Sequence, residues 1–305
     1  MNYKKFNKIH VNDFFSKIYN LLFYLKLLIC NILILVFLIL KKNFFLNKTK
    51  IGIIGLPHHQ NIGNILLKYS IFITLSKNGF EPYIIGKYFK KDNITILKKF
   101  VNLRIISNYT EIKEQDYDIL MVNNDQTWRK WNEDFYDIAF LNFSKKWKIH
   151  KFIYATSIGF KKWCFNKEDE NVAKNLLKNF TGVSVRDKGL SNLIKKHLGI
   201  NADFVLDPTL LIDKKYYLKI IENYRNFPYL NENYILTYKL KHYKVKKKMN
   251  SFINNASRKL NLKIFNVDRH ENEYIEKFIY GINNSKAVIT DSYHGTVFSI
   301  IFNFL

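Results

Sequence analysis

From Lys50 onward, short runs of β-branched and aromatic residues alternate with segments of helix length, the pattern of parallel α/β units. Ile51–Leu56 reads as a first strand, followed by a polar loop at Pro57–Asn64, a helix from about Ile65 to Asn78 closed by Gly79, and a strand at Phe80–Ile85. Further strands are expected at Asp118–Val122, Lys151–Ala155 and Gly182–Val185. Between Asp207-Pro208 and about Asn233 the period weakens, and Pro228 stands there among Asn and Glu. A second series then begins, with strands at Tyr234–Tyr238, Leu262–Val267 and Ala287–Thr290. The expected division is an N-terminal segment at 1–49, a first α/β unit at 50–213, a linker at 214–232 and a second unit at 233–305. Three strands make a small sheet with an exposed edge, so the second unit reads as short at its C-terminal side.

The first 50 residues follow a different pattern. Ile18–Leu40 is apolar except for Asn20, Lys26 and Asn31, which is enough length to cross a bilayer as a helix. Lys26 favours a shallower placement, its amine reaching for the interface. Lys41-Lys42-Asn43-Phe44-Phe45 offers no small-residue cleavage site, so a removed signal peptide is not expected. Lysines flank the segment on both sides and leave its orientation open. The expected location is the cytoplasmic face of a membrane, or the cytoplasm if this helix is instead buried in the protein.

Composition changes this picture little. The 305 residues are 48% hydrophobic, ample for real cores, and carry a formal net charge of +24. Such a charge attracts nucleic acid, anionic membranes and acidic small molecules alike. The lysines are scattered along most of the chain, however, and no nucleic-acid motif accompanies them, so a nucleic-acid partner is not expected. Cys30 and Cys164 lie far apart and share no metal-ligand spacing, which fits a reducing compartment or no disulfide role.

Ligands of parallel sheets bind at the carboxyl ends of the strands, so the loops after strands are the places to look for chemistry. The loop around Asn61-Ile62-Gly63-Asn64 could cradle an anion or a sugar through its backbone, though it lacks a G-x-G-x-x-G pattern. His58 and His59 are adjacent, point apart, and have no carboxylate partners nearby, so no metal site is expected. Asn124-Asp125-Gln126-Thr127-Trp128 combines polar groups with a ring, suited to sugar hydroxyls and an apolar sugar face; a capped helix start with Trp128 in the core is the competing reading. Arg186 ends a strand and could hold a carboxylate or phosphate through two parallel hydrogen bonds, or else pair internally with Asp187 or Asp207. In Thr290-Asp291-Ser292-Tyr293-His294-Gly295-Thr296, a histidine sits at a helix N-terminus, where N–H groups near Ser292 and Gly295 favour an anion beside a titratable group. Asp291 and Ser292 could equally be plain caps, with His294 a buried bystander.

Taken in order, six segments resemble the polysaccharide pyruvyl transferase family. They are Asn61-Ile62-Gly63-Asn64, Asn124-Asp125-Gln126-Thr127-Trp128, Tyr154-Ala155-Thr156-Ser157-Ile158-Gly159, Val183-Ser184-Val185-Arg186-Asp187, Asp207-Pro208-Thr209-Leu210-Leu211 and Thr290 to Ser299. The resemblance implies two Rossmann-like domains, at 50–213 and 233–305, facing each other across a cleft as in the glycosyltransferase-B architecture. It implies transfer of a pyruvyl group from phosphoenolpyruvate to sugar hydroxyls of a surface polysaccharide, giving a cyclic ketal. The acceptor would be a glycan or lipid-linked saccharide, and no cofactor or metal is called for. The family's donor-binding arginine falls on Arg186 and its histidine on His294. The remaining expected substrate contacts are Ser292, Gly295, Asn61, Asn64, Asp125 and Gln126.

The chain departs from the family pattern at several points. Asn64 replaces the usual acidic residue closing the first loop, and Asn123-Asn124 replaces Gly-Ser before Asp-Gln. Ser292 stands where some members have an arginine, leaving Lys286 and Arg269 as substitutes for a second donor cation. Family members also continue with another strand and a closing helix. A nucleotide-sugar glycosyltransferase is the alternative enzyme, since the same cleft could hold a diphosphate, and a degenerate glycan-binding member without activity is the alternative outside catalysis.

Overall fold

The computed structural model describes residues 48–55, 61–87, 98–130, 134–159, 162–228, 232–240, 246–268 and 271–302. The apolar segment Ile18–Leu40, the His58-His59 pair and Arg269 lie outside these residues. Among the described residues, no helix is long and apolar enough to cross a membrane.

Strand β1 (Lys50–Ile54) leads to helix α1 (Ile62–Lys77) and strand β2 (Glu81–Gly86). The helix starts earlier than the expected Ile65 because Asn61 caps it: the Asn61 side chain accepts from the Asn64 N–H, and its carbonyl takes the Ile65 N–H at 3.2 Å. Gly63 and Asn64 therefore belong to the first helical turn rather than to a loop. Strands β3 (Leu103–Ile105) and β4 (Ile119–Val122) follow, then helix α2 (Phe135–Phe140) and strand β5 (His150–Thr156). Helix α3 (Lys167–Leu177), strand β6 (Gly182–Val185), helix α4 (Lys188–Leu198) and strand β7 (Asp203–Phe204) complete the series. All seven strands pair in parallel, in the order β3-β2-β1-β4-β5-β6-β7. The order reverses direction at β1 and β4, so the crevice beyond their carboxyl ends is the ligand position of such sheets. Val122 and Ile54 are fully buried there, as expected of central strands covered on both faces.

A turn of 3-10 helix at Pro208–Leu210 leads into helix α5 (Lys214–Ile220), which falls inside the stretch read as linker from sequence. It is a packed element: Tyr217 is fully buried, donates its hydroxyl to the Thr209 carbonyl at 2.7 Å and meets Ser70 of α1 at 2.8 Å. The second sheet holds β8 (Tyr234–Tyr238), β9 (Lys263–Asn266) and β10 (Ala287–Thr290), parallel and in the order β10-β8-β9. Its helices are α6 (Lys246–Leu260), α7 (Tyr274–Asn284) and α8 (Tyr293–Ile301).

One apolar cluster runs through both sheets, from Ile51 and Ile65 through Tyr217 to Leu236, Phe278 and Phe298. Helix α1 lies at the junction and contacts β2, the Pro208–Leu210 turn and α8. That position explains why it is buried almost all round, down to Lys68 and Ser70, instead of showing one apolar stripe.

Candidate functional site

Five chain segments converge beyond the carboxyl edge of the first sheet. The first turn of α1 brings Gly63 and Asn64; the loop after β4 brings Asn124 and Asp125. Arg186 directly follows β6, and Asp207 opens the Pro208–Leu210 turn. The first turn of α8 comes from the second sheet and carries Tyr293 and His294. Arg186 is the hub: its Nη1 donates to Asp207 Oδ2 at 2.6 Å, its Nη2 pairs with Asp125, and its guanidinium lies under the Tyr293 ring, 4.7 Å from the centroid. Asp187, the other partner considered for Arg186, instead occupies the N-cap position of α4.

His294 is 4% exposed, with its ring against the backbone of Gly63 and its Nε2 3.8 Å from Asp207 Oδ2. A Cβ at Gly63 would fall inside the imidazole, so glycine is required there by space. Burial holds the histidine below its ordinary pKa; Asp207 and Asp125 pull the other way, and Arg186 opposes its protonation. Burial pushes the Asp207 carboxyl up, but Arg186, His294 and the two hydrogen bonds from Thr209 outweigh it and keep the group ionised below the usual range. Burial disfavours the Arg186 charge as well, yet Asp125 and Asp207 raise its pKa further above an already high value.

Several buried polar atoms at this edge have no hydrogen-bond partner among the described residues: Arg186 Nε, His294 Nε2, Asn124 Oδ1 and Thr156 Oγ1. Thr156 ends β5, and its carbonyl accepts the Arg186 N–H at 3.2 Å, which places it beside the arginine. Unsatisfied buried groups are rare in folded proteins, and those gathered at this edge could pair with polar atoms of a ligand.

The other residues singled out from sequence divide in two. Asn64 joins the cluster, its Oδ1 accepting from the Asp125 N–H at 3.4 Å. Asn61 and Ser292 act as caps: the Ser292 hydroxyl accepts from the Gly295 N–H at 3.3 Å, and a Cβ at Gly295 would collide with Thr290. Asp291 is no cap, since its Oδ1 accepts from the Leu240 N–H at 2.6 Å. Gln126 adopts φ +49, packs over Gly159 and accepts from Arg129 Nη1 at 3.3 Å. Trp128 is not a sugar platform. It is 0% exposed, packed between Phe140 and Phe165 with ring centroids 5.3 and 6.2 Å away.

Three contributors escaped the sequence reading. Tyr293 covers Arg186, and Asp207, which the sequence offers only as an internal partner of Arg186, also faces His294. Lys68 is the third, fully buried one turn below Asn64 on the same face of α1. A Cβ at Gly55 would meet its ammonium group and come within 3.3 Å of the Asn123 carbonyl, so Lys68 lies at the carboxyl ends of β1 and β4. Burial lowers its pKa from 10.5 to about 7. A lysine at i+4 from Asn64 inside an apolar helical run was the available signal. Among the described residues, no group of His, Cys, Asp and Glu is arranged to hold a metal ion.

Comparison with known proteins places the chain in a family. UDP-GlcNAc 2-epimerase from Neisseria meningitidis superposes with a TM-score of 0.50 at 10% identity, over 80% of this chain and 77% of that one, a likeness of fold. A Listeria monocytogenes protein described as a UDP-N-acetylglucosamine 2-epimerase gives a TM-score of 0.48 at 12% identity, over 82% of this chain and 76% of that one. No curated protein matches the chain. The family model for polysaccharide pyruvyl transferase matches residues 61–303, a span that begins at the Asn61 cap and takes in Asp125, Arg186, Asp207 and His294, and the chain belongs to that family.

Proposed function

We propose that this protein transfers a pyruvyl group from phosphoenolpyruvate to two hydroxyls of one sugar in a surface polysaccharide or its lipid-linked precursor, forming a pyruvate ketal. The observation that carries this reading is the buried Arg186–Asp207–His294 cluster, within a chain of the pyruvyl transferase family. The two sheets would then face the donor and acceptor as the lobes of a glycosyltransferase-B-like enzyme.

Protonation of the donor's methylene carbon makes the neighbouring enol carbon electrophilic. A sugar hydroxyl adds to that carbon and releases its proton; a second hydroxyl of the same sugar then displaces phosphate, its proton leaving with the phosphate. His294 is suited to deliver the first proton and receive the one released by the attacking hydroxyl, since a histidine changes charge near neutrality. Arg186, through its Nε and by exchanging a carboxylate partner for the donor, would hold an anionic group; N–H groups of the α8 first turn would add to that field.

The test is release of phosphate from phosphoenolpyruvate that depends on a saccharide acceptor, with the ketal identified by mass spectrometry. Folded His294→Ala and Arg186→Ala proteins should both lose turnover; retention by both would refute the assignment. Dependence on a sugar nucleotide in place of phosphoenolpyruvate would establish the glycosyltransferase alternative.

A further inference from the structure

Asp207 stands between the two groups assigned to donor binding and proton transfer. Its Oδ1 is taken by Thr209, whose N–H and hydroxyl donate at 2.9 and 2.6 Å. That fixes the carboxylate and leaves Oδ2 facing Arg186 Nη1 at 2.6 Å and His294 Nε2 at 3.8 Å. Asp207 is fully buried, and Nε2 has no hydrogen-bond partner among the described residues.

The charge balance of this cluster matters because water does not screen it. Arg186 contributes one positive charge and Asp125 and Asp207 one negative charge each, so with a neutral histidine the cluster is anionic by one. A donor bearing phosphate and carboxylate would meet excess negative charge within this cluster, the buried Lys68 on the Asn64 face of α1 standing outside it. It would also compete with both carboxylates for the guanidinium. The groups facing His294 are Asp207 from the turn after β7, Asp125 from the loop after β4, Arg186 from the end of β6 and Tyr293 on its own helix, while α1 presents the Gly63 backbone to the ring. Of these and His294 itself, the imidazole is the group able to add positive charge near neutral pH.

We propose that Asp207 is a counter-ion shared by Arg186 and His294: an anion bound at Arg186 draws the guanidinium away from Asp207, which then stabilises a proton taken up by His294. Asp207 is thus a positioning residue, acting through the histidine. Binding the donor would itself charge the proton donor, so that the acid is armed only when the methylene carbon is present. The role rests on the pyruvyl-transfer reading for the donor's identity, but its test does not need turnover.

Calorimetric titration of the full chain with sulfate, which carries no titrating proton near neutrality, and with phosphoenolpyruvate, at one pH near 7.5 in buffers of different ionisation enthalpy, gives the number of protons taken up per anion. The expected result is uptake of roughly half to one proton, with the His294 resonance titrating about one unit higher in saturating sulfate than without it. In His294→Gln the anion should still bind, with no uptake beyond phosphoenolpyruvate's own. In a folded Asp207→Asn protein the histidine should titrate lower and its anion-induced shift should disappear. Saturable sulfate binding with neither proton uptake nor a histidine shift would overturn the proposal, as would uptake unchanged in His294→Gln. Phosphoenolpyruvate binding no tighter than sulfate would instead count against pyruvyl transfer, and absence of any saturable binding would remove both.

Discussion

The imidazole of His294 rests on the α-carbon of Gly63, so the first turns of α8 and α1 meet with only a hydrogen atom of Gly63 between ring and backbone. The contact joins the two sheets at the site itself. Gly63→Ala would ordinarily stabilise a helix by up to about 1 kcal/mol. Here the methyl group must displace the ring, and we expect a loss of about 1–3 kcal/mol together with impaired transfer. Thermal unfolding of the variant decides the matter; a higher melting temperature would show that His294 does not pack there.

Arg186 bridges two carboxylates that lie 61 and 21 positions away in sequence. Its removal leaves Asp125 and Asp207 facing each other without a cation. We expect Arg186→Ala to cost about 3–5 kcal/mol, measured by urea unfolding. Asp125→Asn in the same chain should recover part of that loss, a coupling of about 1–3 kcal/mol. Arg186→Lys should fold better than the alanine variant yet fail in catalysis, because an ammonium cannot span both partners in the arginine's plane. Additive effects of the Arg186 and Asp125 substitutions would contradict the bridge.

Trp128 belongs to the core with Phe140 and Phe165, so Trp128→Ala should destabilise the protein by about 3–5 kcal/mol. Trp128→Phe, which keeps most of the apolar volume, should leave the acceptor KM where it was. A raised KM at unchanged stability would return the ring to the sugar site.

Lys68 makes stability depend on pH in a predictable direction. The unfolded chain holds its proton up to about the ordinary 10.5, whereas the folded chain gives it up from about 7. Between those values the unfolded state binds more protons, so wild-type stability rises with pH at up to about 1.4 kcal/mol per unit from this group. Lys68→Met should lack that slope and be the more stable protein near pH 7, as followed by denaturant titration from pH 7 to 10. Parallel curves for the two proteins would place the ammonium in a better-solvated setting.

The periodicity of the chain was enough to locate Gly182–Val185, Tyr234–Tyr238 and Ala287–Thr290 as strands with the bounds observed. Leu103–Ile105 and Asp203–Phe204 were not recognised, because three and two residues carry no period and owe their conformation to a neighbouring strand already in place. The start of α1 lies three residues before Ile65, because Asn61, in a run whose polarity suggests a loop, is a standard cap. Trp128 illustrates a different limit: an aromatic at a strand end suits a sugar and a core equally well, and only the arrival of Phe140 and Phe165 decides. Arg186, Asp125 and His294 were each visible as candidates. Their grouping around Asp207 was not, since it follows from the order in which strands lie side by side.

That order also bears on how the chain is made. Among the described strands of the larger sheet the earliest in the chain, β1, takes a central place, with β2 and β3 added outward on one side and β4 to β7 on the other. The smaller sheet repeats the rule: β8 emerges first and lies between β9 and β10. Every later strand therefore joins at an open edge, and none has to be inserted between two that have already paired. A chain leaving the ribosome can lay down each sheet stepwise, its growing edge the only unfinished part, even though all-parallel pairing across long connections is otherwise a slow way to fold.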